Sequence, residues 1–180
     1  NNDKENKNLG IEWQKAQGPH SSKLIEYLKD YKEDYDVIIF LTYLYYTTYF
    51  GLKVAPEKSI LIPTAHDEPP IYYSIFNETF NLPRVILYST TTERDFVNKR
   101  FKNNHIQNDI VGLGVDIDKN TPDIDLEKAF GIKDDYIVYV GRIDESKGCK
   151  EMFENFLEYR KIYNNNLKLI LAGKSIVIAG

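Results

Sequence analysis

Tyr136-Ile137-Val138-Tyr139-Val140-Gly141-Arg142-Ile143-Asp144-Glu145-Ser146-Lys147-Gly148 decides the fold. Its first five residues are an apolar, β-branched run that reads as a buried strand. Beyond Gly148, the positions Cys149, Met152, Phe153, Phe156 and Leu157 form one helical stripe, in a segment running to about Tyr163. Between strand and helix stands a turn carrying two glycines, Arg142 and Lys147. Such a turn presents free backbone N–H groups and the positive end of a helix dipole above the strand. With the two cations added, it suits a phosphate or diphosphate.

Outward from this turn, strands alternate with helices. Asp36–Leu41, Ser59–Pro63, Val85–Tyr88, Asp109–Leu113 and Leu167–Ala172 read as strands. The first is a continuous apolar run, the pattern of a strand covered on both faces. Helices are expected from Ser22, as N-cap, to about Glu33, over Leu44–Phe50, Ile71–Thr79 and Leu126–Phe130, and from a Thr90/Glu93 capping box to Phe101. Asn1–Asn8 lacks periodicity and reads as a frayed end or exposed loop. The alternation predicts an α/β fold of Rossmann-like parallel sheets. The polar stretch 118–123, with Pro122, reads as a linker between residues 1–117 and 124–180. Ligands of such sheets bind at the carboxyl ends of the strands. That edge would carry His66, the Gly112–Asp116 turn and the Arg142–Gly148 turn.

The chain has 180 residues, 42% hydrophobic and 28% charged, which is ordinary for a globular protein. A net charge of −4 argues against a broad nucleic-acid surface. Cys149 is the sole cysteine, so no internal disulfide forms, which fits a reducing cytoplasm. No apolar run reaches membrane-spanning length; peripheral membrane association stays open.

Several segments, in order, resemble the retaining glycosyltransferases of family four, which have the two-domain GT-B fold. Tyr139-Val140-Gly141-Arg142-Ile143-Asp144 with Lys147-Gly148 resembles the start of their donor domain. Pro63-Thr64-Ala65-His66-Asp67-Glu68-Pro69-Pro70 resembles a sugar-contacting loop. Ser89–Arg94 resembles a Ser/Thr-rich turn into a helix with Glu. Val111–Asp116 resembles the crossing to the second domain, and Leu171-Ala172-Gly173 the donor domain's second strand. The resemblance implies that Gly141, Arg142 and Lys147 hold the diphosphate of a nucleotide sugar and that His66 is catalytic, near the donor sugar. It implies sugar or acceptor contacts for Asp67 and Glu68. The acceptor would be a glycan, lipid or small molecule, with no cofactor and no metal. The family also has an amino-terminal Gly-rich turn and a downstream E-x7-E element, neither of which is found here. The chain is therefore expected to be a central fragment of a hexosyltransferase, inactive alone, whose exposed sheet edges leave self-association open.

Each residue also has a plainer reading. Arg142 and Lys147 could be solvated charges, although cations at a helix N-terminus are locally unfavourable. His66 could be a structural loop histidine, Asp67 a turn former and Glu68 a solvated charge. Asp144 and Glu145 read as caps, Cys149 as core, and the tyrosines of Tyr43–Tyr46 as packing. The competing function is a non-catalytic nucleotide-binding or assembly module with a partial GT-B fold. A dinucleotide oxidoreductase lacks its G-x-G-x-x-G after the first strand. Glycoside hydrolysis lacks a second carboxylate opposite Asp67 and Glu68.

Overall fold

The computed structural model describes residues 2–117 and 124–174, with side chains from residue 6 onward. The expected linker 118–123 and the apolar segment 175–180 lie outside the described residues. The chain divides into two compact units, Asn1–Asp116 and Ile117–Gly180.

In the first unit, β1 (Ile38–Leu41), β2 (Ser59–Ile62), β3 (Val85–Tyr88) and β4 (Gln107–Ile110) form one parallel sheet in sequential order. The helices are α1 (Asn2–Gln17), α2 (Ser22–Tyr31), α3 (Tyr46–Gly51), α4 (Phe76–Thr79) and α5 (Thr91–Phe101). The chain is α/β with parallel sheets, as its alternating pattern predicts. Leu61, Ile86 and Tyr88 are fully buried on the central strands. Removing each such side chain from water is worth about 1.5–3 kcal/mol. Tyr43 lies edge-on to Phe76, ring centroids 4.8 Å apart, and Phe80 stacks on Phe101 at 4.3 Å. Tyr43, Tyr46 and Tyr49 are buried, whereas Tyr45, also expected to pack, is exposed.

Several local expectations are corrected. Residues 2–8 are not frayed but belong to α1. This helix is held by tertiary contacts that its sequence does not display. Trp13 stands edge-on to Tyr73 and Phe76. A Cβ on Gly10 would lie 2.7 Å from Ile75 Cγ2, so only glycine lets the helix approach that closely. The buried Gln14 donates Nε2–H to the Leu44 carbonyl at 3.1 Å. Next, β1 is covered on one face rather than two: Phe40 is buried, while Ile39 and Leu41 are each 62% exposed. It is one of the two edge strands of this sheet. Third, β4 begins two residues early, and its polar Gln107, Asn108 and Asp109 pair with Val85, Ile86 and Leu87. It ends where Gly112 turns away at φ +64°. Finally, the helix expected over Ile71–Thr79 is a 3₁₀ turn, Pro69–Tyr72, followed by α4, because Tyr73 is extended at ψ 138°. The N-cap of α2 is Ser21, one residue before the one expected.

Glu78 ties three elements together. It accepts from Lys7 Nζ at 2.8 Å, Lys53 Nζ at 2.6 Å and Tyr49 Oη at 3.0 Å. Burial pushes its pKa up, but the two lysines and the tyrosine outweigh this and hold the carboxyl at about 2, from an ordinary 4.5. A depressed carboxyl stabilises the fold above pH 4.5, and that contribution is lost as the pH falls through 2. Its side chain is 40% exposed, so solvent screening limits the network to about 1 kcal/mol. Glu78→Gln is thus expected to lower the melting temperature by about 2–4 °C at pH 7. The deficit should vanish near pH 2; a deficit independent of pH would contradict the ion-pair account.

In the second unit, Asp125 caps α6 (Leu126–Phe130), and Gly131 closes it in the left-handed region. Then come β5 (Tyr136–Val140), α7 (Cys149–Tyr163) and β6 (Lys168–Ala172). β5 and β6 pair in parallel over five residues, Tyr136 with Lys168 through Val140 with Ala172. β5 is not the buried strand expected: among the described residues β6 is its sole strand partner, and Ile137, Val138 and Val140 are all more than half exposed. Cys149 is buried and Met152, Phe153 and Phe156 half-buried on the α7 stripe. Leu157, expected on that stripe, is instead 59% exposed. Among the described residues, no helix is long and apolar enough to cross a membrane.

Candidate functional site

The first unit holds a cleft of about 560 Å³ at the carboxyl ends of β2 and β3. One wall is the loop Thr64–Asp67. The other is the entry to α5, with Ser89, Thr90, Thr92, Glu93 and Phe96, and Leu113 completes the lining. His66 is exposed and lines this cleft.

The neighbours of His66 are engaged structurally. Asp67 Oδ1 accepts from Tyr72 Oη at 2.7 Å. Glu68 Oε1 accepts from the fully buried Tyr43 Oη at 2.8 Å. Burial, with the hydrogen bond to Glu68 adding to it, pushes the Tyr43 phenol well above its ordinary range. The loop is therefore pinned to the core through Glu68, and one of the carboxylate's oxygens is already in use.

The other wall is pinned too. Thr90 caps α5, accepting from the Glu93 N–H at 3.1 Å. This is half of the expected capping box. The Glu93 carboxylate does not return to Thr90. It accepts instead from Ala65 N at 2.6 Å and Ser89 N at 2.7 Å.

In the second unit, the turn after β5 gathers Gly141, Arg142 and Lys147 around Asp144. Gly141 has φ +153°, a conformation that favours glycine, and donates to the Ala172 carbonyl at 3.0 Å. The Arg142 carbonyl accepts from Tyr139 Oη at 2.7 Å and from the Cys149 thiol at 3.8 Å. Cys149 is accordingly a buried support of the turn. Arg142, 58% exposed on its side chain, pairs with Asp144 through Nε at 3.4 Å. Lys147 is exposed.

Asp144 caps the 3₁₀ turn Glu145–Lys147 by accepting from Lys147 N at 3.2 Å. Its carboxyl is held below its ordinary value by Ser146 first, with Arg142 and the turn N–H groups helping to overcome the burial that opposes it. Gly148 then enters α7 at φ +68° with no side-chain cap. The first N–H groups of a 15-residue helix are thus left for an anion or water. Gly112 bends the chain, at φ +64°, and among the described residues neither it nor Gly114 has an atom within 4 Å of a would-be Cβ.

In the sequence Asp144 and Glu93 read only as caps. The charge that Asp144 places beside Arg142 and the reach of Glu93 to the next loop carry no local signal beyond the capping-box spacing at Glu93. Among the described residues, no group of three or more His, Cys, Asp or Glu is arranged to hold a metal ion. No protein-family model matches the chain, and no match to it is found among curated proteins.

Proposed function

We propose that the chain carries the acceptor-side domain and the donor-diphosphate turn of a retaining GT-B glycosyltransferase. The reaction is transfer of a hexose from a nucleotide diphosphate sugar to the hydroxyl of a glycan, lipid or small-molecule acceptor, in the cytoplasm. The observation that carries this reading is the turn after β5, where Arg142 and Lys147 flank a helix whose N-terminus is uncapped.

As the glycosidic bond breaks, negative charge grows on the leaving nucleoside diphosphate. Fixed cations and helix N–H groups at that point stabilise the transition state more than the ground state. His66 donates a hydrogen bond to a donor-sugar hydroxyl, and the pinning of Glu68 by Tyr43 keeps its loop in place. In a front-face mechanism the donor phosphate takes the acceptor proton, so the protein supplies no nucleophile.

Calorimetric titration of the chain with UDP and with GDP tests the proposal. Saturable binding is expected for at least one, with uridine and guanosine failing to compete. Binding of neither nucleotide would contradict it. A companion variant probes the built-in carboxylate. Asn caps as well as Asp, so Asp144→Asn keeps the turn while removing a negative charge from the anion site. Diphosphate binding should tighten roughly threefold. Weakened binding with an intact fold would show that Asp144 does not oppose the ligand.

A further inference from the structure

We propose that Glu93 is a positioning residue whose buried carboxylate holds the Thr64 turn and so sets where His66 stands in the cleft. The inference rests on the reading of His66 as the sugar-contacting residue.

Thr64 has φ +48°. For a β-branched residue the left-handed region is a genuine outlier. Such strain persists only where the surroundings over-determine it, and it gathers at functional sites. The next residue, Ala65, is buried, and its N–H is the one Glu93 takes at 2.6 Å. Glu93 comes from 28 positions along the chain, on the first turn of α5. Its second bond, to Ser89 N, fixes the end of β3. One carboxylate thus joins the two walls of the cleft, one residue away from His66.

A charge 7% exposed is an expensive choice for a plain helix cap. An ordinary capping-box glutamate bonds back to its own N-cap residue at the surface. A carboxylate suits two converging N–H donors, because each of its oxygens accepts. Glutamine offers one acceptor and would set its NH₂ against the second donor.

The test is NMR of the full chain, comparing wild type with Glu93→Gln and with Glu93→Asp. Aspartate keeps the charge but is one methylene too short to span both walls, and it protects the experiment if glutamine unfolds the protein. In either variant, exchange of the Ala65 amide should quicken about tenfold or more, and the His66 ring resonances should move. The Leu61 and Ile86 amides, in the strands below, should exchange as in wild type. Adding Thr64→Gly relieves the strain and should bring the His66 resonances back toward their wild-type positions. Unchanged His66 resonances would overturn the proposal. So would equal acceleration of Ala65, Leu61 and Ile86, which would make Glu93 a general support of the core. None of these readouts uses a nucleotide, so a failure of the diphosphate reading leaves them unaffected, and the reverse holds.

Discussion

Replacing Gly173 with alanine is expected to disrupt the second unit and to abolish diphosphate binding. The parallel ladder of β5 and β6 continues past the strands, with Gly141 N donating to Ala172 O and Ile143 N to Lys174 O, each at 3.0 Å. That continuation brings the two turns together. A Cβ built on Gly173 would collide with the Gly141 carbonyl oxygen and its carbon. These are backbone atoms, and Gly141 cannot swing aside as a side chain could. Its own φ of +153° already belongs to glycine, and the Arg142 carbonyl after it is held by Tyr139 and Cys149. The cost should be on the order of 3 kcal/mol or more. In NMR spectra of the full chain, the β5, β6 and α7 resonances should collapse while those of β1–β4 persist. A variant with wild-type spectra in the second unit would show that the close approach of the two glycines is not needed.

The second large effect is electrostatic. Arg142→Ala and Lys147→Ala each remove a cation from the turn while leaving its backbone bonds in place. Those bonds run through the Arg142 carbonyl and the Lys147 N–H, which alanine retains. A charge-assisted hydrogen bond is worth about tenfold or more in affinity. Each single variant should therefore weaken UDP or GDP binding by about tenfold, and the double variant by about a hundredfold if the two sites act independently. The salt dependence should fall along with the affinity, since fewer charges are screened. Unchanged affinities within error, with the fold intact, would return both residues to the status of solvated surface charges.

Much of this architecture is readable locally. β3, β5, α6 and α7 announce themselves because an apolar run, a capping residue or a terminal glycine lies within a few positions of each boundary. α1 does not. Its Asn-rich sequence shows no clear stripe, and what holds it is long-range: Trp13 on Tyr73 and Phe76, Lys7 on Glu78, and Gly10 against Ile75. β4 hides for a different reason. An edge strand in contact with water need not be apolar, so Gln107-Asn108-Asp109 carries no strand signal of its own.

The candidate site divides in the same way. The anion turn is legible because strand, glycine and helix follow one another in sequence. The loop with His66 is legible as a loop, yet the residues that fix it, Tyr43 and Glu93, lie 25 and 28 positions from their partners. The capping pattern at Thr90 and Glu93 explained the glutamate too well. A complete local role concealed the non-local one.

Receipt of a diphosphate by the turn after β5 is best followed by amide chemical shifts during a titration with UDP, repeated with GDP, because these locate the ligand even when it binds weakly. The amides of Cys149, Lys150 and Glu151, at the uncapped start of α7, are expected to move saturably, and these movements to be lost in the Arg142→Ala/Lys147→Ala double variant. Shifts confined to other parts of the chain, or identical shifts in the double variant, would contradict diphosphate binding at this turn.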